Sequence, residues 1–247
     1  MSEAYDAFAY AYDQGLGARF FKAVRHLLLR TLDEYPTAKR THLDVACGTG
    51  MAMEFFRKEG WLSTGIDASV PMLQIARRRA PRVAAADFRA LPFRRTFARI
   101  TCLYDSLNHM TEKEQLVAAF TSIAGVMDEE SLFLFDVNHP DIYPEVWGMA
   151  EPYVASGDDY LLEIATSYRA REKMGRALVT GWAQLGAERV AIRETHNQRC
   201  YTQREITKAL KDAGLEPVEV SDFDPYEEGG SDDAPGVKLF FVCRKRR

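Results

Sequence analysis

Short apolar runs alternate with longer amphipathic stretches along the first part of the chain. The apolar runs end at polar or turn-forming residues and predict strands at 61–66, 83–86, 99–103 and 131–136, after a first strand that begins at residue 41. Apolar residues at helical spacing predict helices at 5–13, 20–32, 51–59 and 112–127, and another that Ser69 caps. Alternating strands and helices are typical of a parallel sheet with helices on both faces.

The pattern changes between Pro140 and Arg199. Alternating apolar and polar residues predict antiparallel strands at 160–168, 177–184 and 189–195. Because these strands interrupt the α/β alternation, we interpret residues 140–199 as an antiparallel β insertion that covers the mouth of a pocket. The same insertion is a candidate surface for a homodimer.

The α/β pattern returns at residue 200. Thr202 and Glu205 have the spacing of a capping box for a helix at 204–213, and Gly214 ends that helix. Two closing strands are predicted at 216–222 and 237–243, on either side of an acidic loop at 227–236. We therefore predict one α/β domain from residues 1–139 and 200–247, with an N-terminal helical cap at 1–35.

The turn after the first strand, Ala46-Cys47-Gly48-Thr49-Gly50, is the clearest candidate for a ligand site. Glycines between a strand and a helix allow backbone N–H groups to face a ligand. The next strand ends at Asp67, seventeen residues after Gly50. A carboxylate at the tip of a neighbouring strand accepts hydrogen bonds from two vicinal ribose hydroxyls. The turn and Asp67 together predict a ligand that carries a ribose.

Two types of cofactor fit this arrangement. A dinucleotide site needs a third glycine for the pyrophosphate and for close helix packing, but Met53 occupies that position. S-adenosylmethionine (SAM) needs less room, because only its ribose and its amino-acid end cross the turn. The spacing therefore favours SAM over a nicotinamide dinucleotide.

The same residues carry a resemblance to a known family. Two segments resemble the first two motifs of class I SAM-dependent methyltransferases. The first is Leu-Asp-Val-Ala-Cys-Gly-Thr-Gly at residues 43–50, and the second is Gly-Ile-Asp-Ala-Ser at residues 65–69, followed by Met72-Leu73. Ala46 stands where the family has its first glycine, and we expect its φ to stay negative, where alanine costs little. The resemblance implies a Rossmann-like, seven-stranded, mostly parallel sheet with one antiparallel strand near the C-terminus. It also implies SAM as cofactor and S-adenosyl-L-homocysteine (SAH) as product.

The cofactor site implied by the resemblance extends beyond the turn. A Met in the family position of Met72 lies flat against adenine. Asp87 and Phe88 follow the third strand, and a carboxylate beside an aromatic ring can accept a hydrogen bond from the adenine amino group. The simpler interpretation of Asp87 is a solvated turn residue. The remaining predicted contacts of the cofactor are Ala46, Cys47, Gly48, Thr49, Gly50, Asp67, Ala68, Leu103 and Tyr104.

Residues before the first strand are candidates for closing over the ligand. Tyr5, Tyr12 and Arg19 offer hydroxyls and a guanidinium next to a hinge that contains Gly15 and Gly17. In the family that the chain resembles, a Tyr-Asp pair and a nearby arginine often cover the methionine end of SAM. Tyr12 and Arg19 are therefore predicted to contact the cofactor.

The polar segment after the fourth strand is the best-placed candidate for chemistry. It begins at Tyr104 and ends at Met110, at the carboxyl end of a strand that is expected to border the first, where open α/β sheets place their ligands. Methyl transfer needs a nucleophile aligned about 3 Å from the methyl carbon and, for an amine, a group that accepts a proton. His109, His139 and His196 are candidates for that group, with a structural role as the alternative for each.

A second resemblance favours His109. Residues 106–110 resemble the segment that carries a catalytic histidine in amino-sugar N-methyltransferases, in which case Tyr104 and Asn108 would hold the amine by hydrogen bonds. Residues 194–196, 201–205 and 213–215 are also similar to that family, and residues 43–50 and 102–109 are similar to the glycine N-methyltransferases. This implies a small-molecule acceptor, with nitrogen favoured over oxygen.

Composition narrows the remaining alternatives. Lys and Arg total 32 against 36 Asp and Glu, a net charge of −4, which disfavours a nucleic-acid acceptor such as RNA. The four cysteines have no metal-type spacing, so we expect buried thiols and no metal. The chain shows no signal peptide or long apolar run, which predicts a cytoplasmic protein without membrane contact. A nicotinamide-dependent oxidoreductase and a SAM-binding regulator without catalysis remain as alternatives from other classes.

Overall fold

The computed structural model describes residues 3–149, 151–225 and 237–246, and the side chains from residue 7 onwards within those ranges. The side chain of Tyr5 and the predicted loop at 227–236 lie outside this description. The helices are α1 Glu3–Gln14, α2 Leu16–Glu34, α3 Met51–Lys58, α4 Val70–Arg79, α5 Lys113–Gly125, α6 Ile142–Glu145 and α7 Gln203–Asp212. The strands are β1 Thr41–Val45, β2 Leu62–Asp67, β3 Val83–Ala85, β4 Arg99–Cys102, β5 Leu132–Asn138, β6 Tyr153–Gly157, β7 Tyr160–Arg169, β8 Met174–Leu185, β9 Glu188–Arg199, β10 Leu215–Phe223 and β11 Lys238–Lys245.

A seven-stranded sheet has the order β10-β11-β5-β4-β1-β2-β3. Strands β1 to β5 pair in parallel, whereas β11 runs antiparallel to both β5 and β10. This confirms the predicted α/β sheet with one antiparallel strand near the C-terminus. The predicted pairing of the first and fourth strands is also confirmed, which places the carboxyl ends of β1, β2 and β4 along one edge.

The two faces of this sheet bury separate apolar clusters. On one face Phe133, Phe135 and Phe241 pack against α5 and α7, with Phe135 and Phe241 stacked at a centroid distance of 4.7 Å. On the other face Leu134 and Phe240 pack against α2 and α3. Burial on both faces explains why the strands are nearly continuous apolar runs. The rigid sheet fixes the positions of the residues at its carboxyl edge.

The insertion forms a separate antiparallel sheet of four strands, β6-β7-β8-β9. The three strands predicted in this region are confirmed as β7, β8 and β9. Strand β6 was not predicted, because it is an edge strand whose residues are mostly exposed and carry no buried apolar face. One face of this sheet packs against α1 through Phe8, Leu162 and Ile192.

The helix signals read from the sequence are confirmed. The Ser69 side chain accepts a hydrogen bond from the Met72 amide, and Thr202 and Glu205 form a reciprocal capping box at the start of α7. Helix α2 begins earlier than expected, at Leu16, directly after the end of α1. Within the described residues, no helix combines the length and the apolar character that crossing a membrane requires.

Candidate active site

The turn between β1 and α3 takes the left-handed conformation at three of its residues. Gly48 and Gly50 have φ of +52° and +84°, which glycine adopts without strain. Ala46 has φ of +54°, so the expectation that its φ stays negative was wrong. A side chain in this region costs on the order of 1–2 kcal/mol, which the surrounding turn must offset.

Asp67 joins the tip of β2 to this turn. The Gly48 amide donates to its Oδ2 and the Ser69 amide donates to its Oδ1, both at 2.8 Å. Each carboxylate oxygen keeps a further lone pair for a ligand hydroxyl. Burial raises the pKa of Asp67, while the hydrogen bonds from the two amides act in the opposite direction. The structure thus places Asp67 directly beside the glycine turn.

Close packing behind the turn explains Met53. Met53 is fully buried, and a Cβ on Gly65 of β2 would lie 2.3 Å from its sulfur atom. The small residue that allows close approach therefore lies on the strand, and the helix carries the large one. Cys47 is also buried against this contact, and burial raises the pKa of its thiol well above the usual value, which suits packing and disfavours nucleophilic chemistry.

Arg79 holds the turn from outside, a role that the sequence did not indicate. Its guanidinium donates to both oxygens of Asp13 at 2.6 and 3.1 Å and to the carbonyl of Thr49 at 2.8 Å. It also lies 3.3 Å from Glu54. One side chain at the end of α4 thus connects α1, the glycine turn and α3.

Tyr12 and Tyr104 form an aromatic wall over the turn. A Cβ on Gly48 would lie 3.8 Å from the Tyr12 ring, and the Tyr12 and Tyr104 ring centroids are 5.5 Å apart. Phe20 supports Tyr104 from behind at 4.5 Å. Burial raises the pKa of Tyr12 well above its usual value, and nearby carboxylates, Asp105 first among them, raise it further. Its hydroxyl therefore stays protonated and can donate.

Arg19 lies further out than Tyr12. It is exposed and donates to the hydroxyl of Tyr153 on β6 at 3.1 Å. The contact connects α2 to the insertion sheet.

The residues predicted near adenine are spread over two elements. Met72 is half-buried against α1 and the insertion sheet, and Phe88 is half-buried against the main core. Asp87 is exposed, and its carboxylate caps the turn that follows and pairs with the guanidinium of Arg89. This pairing lowers the pKa of Asp87. Ala68 is exposed and Leu103 is buried beside Tyr104.

Backbone strain marks the start of the Tyr104–His109 segment. Tyr104 and Asp105 have φ of +59° and +49°, which is uncommon for residues other than glycine. Their two amides donate to the Asp136 carboxylate at 2.5 and 2.9 Å. Asp136, at the end of β5, therefore holds two successive left-handed residues in place.

Lys238 neutralises the carboxylates below this segment. It is only 2% exposed, and its Nζ lies 2.6 Å from Asp105, 2.9 Å from Asp136 and 3.0 Å from the side-chain oxygen of Asn138. Burial is the largest single influence on Asp105 and raises its pKa, but the charge and hydrogen bond of Lys238, together with His109 and Gln198, lower it in the net. Burial dominates at Asp136, whose pKa is raised. The buried amine of Lys238 therefore forms ion pairs with the carboxylates of both Asp105 and Asp136.

Asn108 has a structural position. It is 0% exposed, its amide nitrogen donates to the carbonyl of Arg199 at 2.9 Å, and its oxygen accepts from the amide of Asn138 at 3.0 Å. Both ends of the side chain are used by backbone groups. Each end keeps one further hydrogen-bonding position, but the full burial of the side chain disfavours the predicted contact with an amine, which stays a prediction.

Of the three candidate histidines, two come together. The rings of His109 and His196 meet edge to face at 5.9 Å. The side chain of His109 is exposed at the end of the segment that follows β4. Desolvation of its ring nevertheless lowers its pKa, and His196 lowers it further, while Asp105 acts in the opposite direction. His109 is therefore neutral near pH 7 and can accept a proton. His139 lies apart from this pair, with its ring 3.5 Å from Asp141.

Comparison with known proteins agrees with this geometry. Residues 43–130 match the model of a family described as a methyltransferase domain. This segment contains the glycine turn, Asp67 and the Tyr104–His109 segment. The chain is accordingly a methyltransferase with the fold of a solved S-adenosylmethionine-dependent methyltransferase.

Several relatives match the methyltransferase over nearly its whole length. A Geobacillus sp. (strain WCH70) protein with a provisional methyltransferase name is 29% identical over 98% of this chain and 99% of the relative. The dTDP-3-amino-3,6-dideoxy-alpha-D-glucopyranose N,N-dimethyltransferase of Streptomyces fradiae is 27% identical over 91% of this chain and 88% of the relative. The crystal structure of a S-adenosylmethionine-dependent methyltransferase from Clostridium acetobutylicum ATCC 824 superposes with a TM-score of 0.79, 21% identity, and coverage of 97% of this chain and 98% of that one.

The polar groups of Asp67 and Thr49 at the glycine turn fit a ligand such as SAM. Asp67 offers free lone pairs beside the turn, and the hydroxyl of Thr49 is buried without a hydrogen-bond partner among the described residues. Buried polar atoms are normally satisfied, so an unsatisfied hydroxyl within the turn is consistent with a polar ligand there.

Four residues of the site were missed or given no role by the sequence reading. Lys238 had a signal, because it is a lone charge at the start of an apolar strand. Asp136 had a weaker one, as an acid at the end of β5. Arg79 and Gln198 had no such signal in the sequence, since each acts through partners that are distant in the chain. Gln198, for example, donates to Asp105 and lies 3.5 Å from His109.

Proposed function

We propose that this methyltransferase transfers a methyl group from SAM to the amine nitrogen of a small-molecule acceptor, and that the acceptor is an amino sugar carried on a nucleotide. The observation that carries the proposal is the contact between His196 and His109, which lies in the segment that follows the carboxyl end of β4. A histidine with a lowered pKa in this position suits an acceptor that must lose a proton, as a protonated amine does. The name of the Streptomyces fradiae relative supports an amino sugar.

The cofactor roles of individual residues are part of the proposal. Asp67 accepts from the ribose hydroxyls, and the turn at Ala46–Gly50 passes under the amino-acid end. Tyr12 and Tyr104 cover that end, with Arg19 at the outer margin. Met72, Asp87 and Phe88 face adenine, together with Ala68 and Leu103, and Asp87 must exchange its bond with Arg89 for one with the adenine amino group.

In the proposed mechanism the main task of the protein is to align the acceptor nitrogen with the methyl group of SAM. Bound SAM supplies an electrophilic methyl carbon, whose bond to sulfur breaks as the nitrogen lone pair forms the new bond. His109 accepts the proton that the amine loses, and Asp105 and Gln198 orient its ring from below. Tyr104 donates from the wall opposite. Alignment and exclusion of water account for most of the rate in a displacement of this kind.

The covering of the pocket by residues 140–199 is also a proposal. Strand β9 packs against the turn Ser106–His109 and α1 packs against β8 and β9. These contacts support a pocket around the two histidines that the insertion sheet and the helical cap at 1–35 cover. The acceptor would enter between them.

The test is a methyl-transfer assay on the purified protein. It would be incubated with SAM and, separately, with dTDP-linked amino sugars, free amino sugars, small primary amines and the matching hydroxyl compounds. Mass spectrometry should show the gain of one or two methyl groups on an amine and none on the hydroxyl compound. Transfer to hydroxyl compounds alone would replace the proposal with an O-methyltransferase, and transfer to RNA alone would contradict a small acceptor.

Two expectations on partners and location stay predictions. A homodimer through the insertion is supported by the exposed apolar side chains of Tyr153 and Val154 on the edge strand β6, and light scattering of the purified protein would test it. A cytoplasmic location would be tested by fractionation of the source cells.

A further inference from the structure

The inner face of β9 changes character along its length. Alternate residues of this strand face the main domain: Val190 and Ile192 are apolar and pack on α1, whereas Glu194, His196 and Gln198 are polar. The polar end is the one that meets the Ser106–His109 turn, because His196 contacts His109 and Gln198 donates to Asp105. A polar stripe on the insertion therefore faces the candidate catalytic histidine.

Glu194 is the charged member of this stripe, and its carboxylate makes no hydrogen bond within the described part of the chain. Its side chain is 7% exposed, and both carboxylate oxygens are buried without a hydrogen-bond partner. Its neighbours on the strands are apolar, with Ile192 two residues earlier on the same face and Val179 opposite on β8. A carboxylate removed from water without donors is costly, so this position needs a donor from elsewhere.

His196 approaches Glu194 but does not satisfy it. Its Nε2 lies 3.1 Å from Oε2 of Glu194, yet neither atom has a hydrogen-bond partner among the described residues. The ring is held instead by Phe8 at 5.4 Å and His109 at 5.9 Å. The carboxylate and the imidazole therefore both present unused polar atoms at the same place.

We propose that Glu194 binds the acceptor's amino group in its cationic form, and so selects amines over the corresponding hydroxyl compounds. This inference rests on the proposed function, since it places the acceptor nitrogen between the insertion and His109. An ammonium group provides several donors and a full charge, which match two buried acceptor oxygens better than a neutral hydroxyl does. The amine gives up its proton to His109 before it attacks.

The test compares three forms of the full chain, each saturated with SAH: wild type, Glu194→Gln and Glu188→Gln. Glu188 is exposed at the start of the same strand, so its substitution removes an equal charge away from the site. Calorimetry would measure the binding of dTDP-3-amino-3,6-dideoxy-α-D-glucopyranose and of D-glucosamine, each against its hydroxyl counterpart. SAH affinity in all three forms serves as the measure of an intact cofactor site.

We expect Glu194→Gln to weaken amine binding by about 10- to 100-fold, the usual worth of a hydrogen bond to a charged group. Binding of the hydroxyl counterpart and of SAH should change less than about twofold, and Glu188→Gln should resemble wild type. The conservative variant Glu194→Asp keeps the charge and should retain a preference for the amine. It also serves as the informative variant if Glu194→Gln does not fold.

The outcomes separate this inference from the proposed function. Three results would overturn the role of Glu194. They are an unchanged amine affinity in Glu194→Gln, an equal loss of affinity for amine and hydroxyl compounds in that variant, and no binding of either amine by wild type. Transfer to amines with normal KM in Glu194→Gln would leave the proposed function standing and remove the inference. Amine binding that depends on Glu194, without any methyl transfer to nitrogen, would support the role of Glu194 and contradict the proposed function.

Discussion

Nζ of Lys238 lies 2.6 Å from Oδ1 of Asp105, although the two residues are 133 positions apart. Lys238 begins the antiparallel strand β11, and Asp105 lies in the segment that follows β4. Asp136 connects them, because it accepts from the Asp105 amide and lies 2.9 Å from the same amine. The left-handed residues Tyr104 and Asp105 are therefore held by a charge that the last strand supplies.

Replacement of Lys238 by Met should lower the free energy of unfolding by about 3–5 kcal/mol, because the carboxylates of Asp105 and Asp136 lose the buried cation that lies between them. Urea unfolding followed by circular dichroism would measure this. Lys245→Met, on the half-buried far end of β11, is the matched control and should cost less than about 1 kcal/mol. Equal stability of the two variants would show that Lys238 does not hold the segment.

Replacement of Arg79 by Met should weaken SAH binding by about 5- to 30-fold, although Arg79 is not predicted to touch the cofactor. The variant loses the bonds that connect α1 and the Thr49 carbonyl, so the glycine turn and Tyr12 are no longer held in one arrangement. Arg78→Met, at the exposed neighbouring position, should bind SAH as wild type does. Calorimetric affinities that agree within error for both variants would rule out this positioning role.

The buried carboxyl of Asp44 should make the protein less stable as pH rises from about 4 to about 7. Burial raises its pKa to about 7, despite a hydrogen bond from Thr101 that acts in the opposite direction. In that pH range the folded chain retains a proton that the unfolded chain loses, so the unfolded state is favoured by up to about 4 kcal/mol at the upper end. Asp44→Asn should remove this dependence, and denaturant titrations at pH 5 and pH 8 would measure it. A stability difference between variant and wild type that is the same at both pH values would contradict the raised pKa.

Replacement of His109 by Ala should lower kcat for an amine acceptor by about 100-fold or more, the usual contribution of a general base. SAH affinity should change less than about twofold, since His109 contacts His196 and Gln198 and not the glycine turn. His26→Ala, exposed on α2, is the control for loss of an imidazole. Steady-state kinetics with wild-type turnover in His109→Ala would remove His109 from the mechanism.

Most of the fold could be predicted from the sequence because its signals are local. The apolar runs of β1 and β2, the Ser69 cap and the capping box of α7 each depend on a few neighbouring residues, and all are present. Strand β6 was missed because an exposed edge strand has no periodic apolar face. The spacing of Gly48 and Asp67 predicted a shared site, and the bond between them agrees with it.

The parts of the site that could not be predicted depend on contacts between distant residues. The left-handed conformation of Ala46 is set by the turn around it and not by its own preference. The hydrogen bonds of Asn108 with the carbonyl of Arg199 and the amide of Asn138 could not be read from the sequence either, because both partners are distant in the chain. Glu194 has the ordinary appearance of a polar strand residue until the packing of β9 buries it.

The central claim is that Asp67 and the glycine turn together bind SAM, and one calorimetric experiment tests it most directly. SAH would be titrated into wild type, Asp67→Ala and Asp33→Ala, where Asp33 is an exposed acid on α2. We expect wild type and Asp33→Ala to bind equally, and Asp67→Ala to bind about 100-fold more weakly because two ribose hydroxyls lose a charged acceptor. Near-normal SAH affinity in Asp67→Ala, or no binding by wild type, would contradict the account.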